Sequence, residues 1–139
     1  MEAGAHFQAD RVERERAERR AGNWINFAVA YLIAAGGMTL IWGIVALANK
    51  SAFTEDGLVW SKLDTWGPIA IGVGGAQVLA GFLLTQRRFA GQWLAGVLAV
   101  LGIFFHFLTI GAYPIWGVIA LVANGLVLWA ITAHGDDLE

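Results

Sequence analysis

The chain contains no cysteine, which excludes disulfides and thiolate metal sites outright. Charge is scarce as well: 14% of the 139 residues are Asp, Glu, Lys or Arg, and none of the four occurs in 24–48, 65–86 or 89–135. General acid–base catalysis and proton relays usually rest on carboxylates or paired histidines in a protected site. Their absence from the apolar runs speaks against an enzyme and against proton-coupled transport. The net charge of −2 offers no argument for a nucleic-acid partner.

What is present is apolar: 58% hydrophobic residues, with seven Trp. About 20 apolar residues suffice for a helix to cross a bilayer, so the three uncharged runs are membrane-spanning. The third would reach roughly 70 Å as one helix, more than twice the hydrocarbon thickness. It must fold back, and Gly111 and Pro114 mark the place, because Pro suits the first turn of a new helix. The reading is an all-α, integral membrane four-helix bundle running up-down-up-down, with spans near 24–48, 67–86, 90–111 and 114–133. Residues 1–22 form a charged N-terminal helix, 23–135 the four-span domain and 136–139 a tail. The first apolar run is long and follows a charged segment, so it reads as a retained span and not a signal peptide.

Lys and Arg in short loops mark the cytoplasmic side. All seven Arg fall on one side by this topology: Arg11, Arg14, Arg16, Arg19 and Arg20 before the first span, Arg87 and Arg88 between the second and third. Lys50 and Lys62 lie opposite. Both termini are therefore expected in the cytoplasm and the protein in a cytoplasmic (inner) membrane, with Arg19, Arg20, Arg87 and Arg88 at lipid headgroups. Trp24, Trp93 and Trp129 fall toward the inner ends, and Trp60, Trp66 and Trp116 at the outer, where Trp rings favour the interface. Trp42 lies deeper. The N-terminal "DRVERERAERRAGNW" has i,i+4 pairs, Asp10 with Arg14 and Glu15 with Arg19, but almost no apolar face, as a solvated helix requires.

The outer segment 49–68 carries a hairpin signal at Asp56-Gly57, a capping-box-like Ser61 and Asp64, and Thr65 as a cap for the second span with Pro68 in its first turn. Phe53, Leu58, Val59, Trp60 and Leu63 make it apolar enough to lie on the bundle or the interface. "IWGIVALAN" and "IWGVIALVAN" join spans that run oppositely and read as coincidence. "GVGG" at 72–75 lies inside a span and is not a phosphate loop. His134, Asp136 and Asp137 read as a solvated tail, so no cofactor or metal is expected.

Each span carries small and polar residues on one face, which lets helix backbones approach in lipid. These are Ala28, Gly36, Thr39, Gly43 and Ala46; Gly67, Ala70, Gly74, Gln77, Gly81 and Thr85; Gly91, Ala95, Ala99, Gly102, His106 and Thr109; and Gly117, Ala120 and Asn124. Leu94, Leu98, Leu101, Phe105 and Leu108 are expected to face lipid. Thr39, Gln77 and Asn124 fall near the midplane and could form one hydrogen-bonded layer. His106 lies about a turn nearer the outer surface, where it either bonds across helices or to the outer loop, or titrates or contacts a ligand.

From Thr54 to Gly135 the chain resembles a family of small four-span actinobacterial membrane proteins known only as a domain of unknown function. The carrying residues are Asp56-Gly57, Thr65-Trp66-Gly67, Tyr113-Pro114 with Trp116, and Ala133-His134-Gly135. The resemblance implies the four-helix fold and an actinobacterial inner membrane, and it carries no activity, cofactor or catalytic residue. The expected function is non-enzymatic: association through helix faces, as an oligomer or as an accessory subunit of a larger membrane complex, with lipid, itself or other membrane subunits as partners. The alternative is a small carrier, channel or lipid- or quinone-binding protein whose site is lined by Gln77, His106 and Asn124.

Overall fold

The computed structural model describes residues 2–49, 63–111 and 114–135, with side chains from residue 6, and from 65 on α2; those of 108 and 109 are not described. The Asp56-Gly57 hairpin, the Ser61–Asp64 capping box, Trp60, Lys50, Lys62 and Tyr113 lie outside the described residues. Four helices follow in order: α1 Glu2–Ala48, α2 Leu63–Thr85, α3 Phe89–Thr109 and α4 Pro114–Ala133. All four are long and apolar enough to cross a membrane. The two uncharged helices of the third run part at 110–113, and Pro114 opens α4. A cyclic amide with no N–H is at home there.

One detail extends the expectation and one corrects it. α1 is a single 47-residue helix, roughly 70 Å long, so the charged segment and the first span share one unbroken rod. Residues 6–20 are exposed throughout, and apolar burial begins at Ala21, Ile25 and Ala28. α2 begins at Leu63, so Thr65 lies within the helix and does not cap it. Pro68 therefore falls inside the helix, in the second turn, where it has no N–H to offer the carbonyl four residues back.

The main packing runs α1 on α2, α2 on α3 and α3 on α4, with α4 returning to α1. The α1–α2 seam is a glycine ladder. A Cβ at Gly43 would lie 2.9 Å from the Gly67 carbonyl, and one at Gly36 would lie 2.8 Å from that of Gly74. One at Gly81 would press on Ile33 and the Val29 carbonyl. The contacts recur every seven residues on both helices, the spacing of a left-handed antiparallel pair.

Among the described residues the shared core lies in the half of the bundle nearest the charged end of α1. Ile25, Ala28 and Leu32 meet Ala80 and Leu84 of α2, Ala95 and Ala99 of α3, and Val127, Ala130 and Ile131 of α4. Leu94 and Leu98, expected toward lipid, pack against this cluster instead. The outward side chains of α3 include Trp93, Val97, Val100, Leu101, Phe104, Phe105 and Phe107. The cause is that Leu94 and Leu98 each precede a core alanine by one residue, about 100° away, close enough to reach round to the seam.

The α2–α3 turn is three residues long. Arg88 N–H donates to the Leu83 carbonyl at 3.1 Å and Arg87 N–H to that of Leu84 at 3.0 Å. This is the Schellman pattern, with Arg87 at φ 54° where glycine is usual.

Candidate functional site

Asn124 is the one buried polar residue among the described side chains, 4% exposed. Its amide donates to the Ala120 carbonyl at 2.8 Å and to the Tyr31 hydroxyl of α1 at 3.3 Å. Its Oδ1 lies over Gly102 of α3, so that a Cβ there would stand 2.6 Å from it. One amide thus touches α4, α1 and α3. The Gly102 carbonyl also lies 2.7 Å from His106 Nδ1, and since a carbonyl only accepts, that nitrogen carries the proton.

The Thr39–Gln77–Asn124 layer is not what these bonds form. Thr39 donates to the Ala35 carbonyl of its own helix at 2.8 Å, and Gln77 Oε1 is buried without a hydrogen-bond partner. Gln77 is spent on packing, its Cβ set against Gly36. The Nδ1 bond of His106 likewise stays within α3 and links no second helix. Trp66 lies against Phe105, 6.0 Å between ring centres, and Phe105 against His106 at 5.6 Å.

Tyr31 was not among the sequence candidates, although a tyrosine within an apolar run signals a hydroxyl that must find a partner. It also ends an aromatic series. Tyr31 stacks on Phe27 at 6.4 Å, Phe27 meets Trp24 edge-on at 6.1 Å, Trp24 meets Trp129 of α4 at 4.7 Å, and Trp129 meets His134 at 5.2 Å. Gln92 was also missed. Its amide donates to the Ile131 carbonyl at 2.8 Å, joining α3 to α4.

Arg19 and Arg20 lie on the exposed part of α1, while Arg87 and Arg88 occupy the exposed α2–α3 turn. Below that turn a groove of about 520 Å³ opens between α3 and α4, lined by Phe89, Trp93, Val97, Val100, Leu128 and Ile131 among others. Thr39, Gln77, His106 and Asn124 do not line it. Among the described residues no three His, Asp or Glu stand together as a metal site.

Compared with known families, residues 24–136 match the pattern described as Domain of unknown function (DUF7144). Comparison with curated proteins and with solved structures gave no match.

Proposed function

We propose, from the premise that this chain belongs to the DUF7144 family of unknown function, that it is a non-enzymatic membrane protein working by helix association, as an oligomer or as an accessory subunit of a larger membrane complex. The observation that carries this reading is a set of glycines the fold does not use. A Cβ added at Gly37, Gly72 or Gly75 would meet nothing within 4 Å.

Each lies one residue after a seam position: Gly37 follows Gly36, Gly75 follows Gly74, and Gly72 follows Ile71, whose side chain packs at Gly43. A step of one residue turns a helix by about 100°. On antiparallel helices that step leads both to the same side of the seam. The core residues Ala28, Leu32 and Ala80 come one residue before Val29, Ile33 and Gly81, so they occupy the opposite side. The three glycines therefore share the outward face of the α1–α2 pair, near the middle of the apolar part of α1 and of α2.

Glycine within a helix costs about 1 kcal/mol relative to alanine, and no described residue of this chain packs where a Cβ would stand at these positions. Close approach by another membrane helix offsets that cost. The same reading takes both termini as cytoplasmic, which the Arg distribution supports, and the membrane as an actinobacterial inner membrane, which is what the sequence resemblance implies.

The test uses the absence of native cysteine. Gly72→Cys or Gly37→Cys should form a disulfide with the same cysteine of a second copy under mild oxidation, or be trapped on a co-purifying subunit by a maleimide crosslinker that carries a photoreactive group. Gly37→Leu and Gly75→Leu should weaken that association without loss of helicity. A chain that stays monomeric and uncrosslinked in native membranes would defeat the proposal.

A further inference from the structure

Two polar side chains, Gln92 and Thr132, line the groove between α3 and α4, and both donate to α4 carbonyls. Gln92 donates to the Ile131 carbonyl, and Thr132 Oγ1 donates within α4 to the Leu128 carbonyl at 2.7 Å. What remains on the walls is hydrocarbon and aromatic. Its occupant must therefore be apolar along its length.

Two dimensions select among apolar occupants. From Phe89 to Leu101 the α3 wall is roughly 18 Å long, close to half of the ~30 Å hydrocarbon thickness. A partner helix would need a seam crossing both leaflets, whereas one acyl chain fills a single leaflet. The groove also has a charged mouth. Phe89 follows Arg87 and Arg88 directly, and both arginines are exposed at the turn. Beside them Phe89 meets Trp93 edge-on at 6.3 Å, a pair of rings at the depth where aromatic side chains border headgroups.

We infer that this groove binds one anionic phospholipid, with an acyl chain between α3 and α4 and the phosphate at Arg87 and Arg88. The site lies on the helix pair away from Gly37, Gly72 and Gly75, so it stands or falls separately from the association reading. Arginine forks match phosphate oxygens, and each cation near the surface favours an anionic lipid.

The experiment is native mass spectrometry of the full chain in mild detergent, titrated with dioleoyl phosphatidylglycerol or dioleoyl phosphatidylcholine. The wild type should retain one phosphatidylglycerol per chain, roughly an order of magnitude tighter than phosphatidylcholine. Val100→Trp fills the groove from an exposed position and should abolish retention of both lipids. Val122→Trp adds the same bulk at an exposed position outside the groove and should change nothing. Arg87→Gln with Arg88→Gln should bring the two lipids to equal affinity. Circular dichroism checks that each variant is folded, and the double arginine variant alters only an exposed turn.

Equal retention of the two lipids by the wild type would overturn the inference. So would undiminished phosphatidylglycerol binding by folded Val100→Trp. A change in subunit number in Val100→Trp, with the lipid count unaltered, would instead make the groove an interface with a second copy.

Discussion

Gly36 and Gly74 face each other across the α1–α2 seam so closely that a Cβ on either would lie within 2.8 Å of the other's carbonyl oxygen. Both obstructions are backbone and cannot rotate away. Gly36→Ala or Gly74→Ala must therefore separate the helices, at the ~1–3 kcal/mol typical of overpacking. Gly72→Ala, one residue from the seam, meets no described atom of its own chain and in the dissociated monomer gains up to about 1 kcal/mol from helix propensity. Denaturant titration in mixed micelles should order the three variants accordingly. Equal stability of Gly36→Ala and Gly72→Ala would mean that the seam is not closed.

Asn124 and Tyr31 test how strongly the polar node holds three helices. Tyr31→Phe removes one interhelical bond and should cost about 0.6 kcal/mol, the average found for such bonds in membranes. Gly102→Ala should cost more, because its methyl would enter the space of Asn124 Oδ1 and shift an amide that touches α1, α3 and α4 together. Unfolding of the two variants under the same conditions supplies the ranking. The reverse order would place the main restraint in the hydrogen bond and not in the packing.

The spans were legible because charge is excluded from them so completely, and Gly111–Pro114 located the last turn by backbone chemistry alone. The small-residue faces were legible too: Ala28, Ala95 and Ala99 all lie in the core. Which polar groups would pair was not. Depth along the axis placed Thr39, Gln77 and Asn124 at one level, but hydrogen bonding also depends on azimuth and on competing carbonyls. Thr39 found the Ala35 carbonyl four residues back in its own helix, as threonine commonly does, and Asn124 found Tyr31. The start of α2 was misjudged for a related reason. Thr65 and Pro68 are good starting residues wherever they occur, and a helix that begins at Leu63 tolerates both.

Gln92 closes the end of the bundle. It bonds the Ile131 carbonyl near the end of α4, and Gly135 lies against the same amide so tightly that a Cβ there would collide with Nε2. Gly135→Ala should displace the amide and release the end of α4. Hydrogen exchange should then rise at 128–135 with little change in α1. Gln92→Leu should reproduce the effect, and protection unaltered in both variants would show that the staple contributes nothing.

The proposed orientation rests on the arginines. If Arg87 and Arg88 are cytoplasmic with the N-terminal helix, cysteines placed singly at Ser61 and Ala90 should react with an impermeant maleimide from opposite sides of the membrane. Labelling from the same side would invert the assignment of at least one hairpin.

Arg87 holds a backbone conformation that suits glycine better, φ 54°, because Arg87 and Arg88 N–H groups must reach back to the Leu84 and Leu83 carbonyls. A residue with a Cβ loses roughly 1–2 kcal/mol in the left-handed region. Arg87→Gly should thus stabilise the protein in lipid-free detergent by about that amount, and Arg87→Val, branched at Cβ, should destabilise it. The charge is lost in both, so the difference between them isolates the backbone contribution. An Arg at the expected glycine position costs fold stability, and the headgroup site proposed at this turn is a reason for a cation to stand there. Arg87→Gly should accordingly be more stable than wild type in detergent while retaining less phosphatidylglycerol. A gain in stability together with undiminished lipid binding would leave Arg87 without that reason.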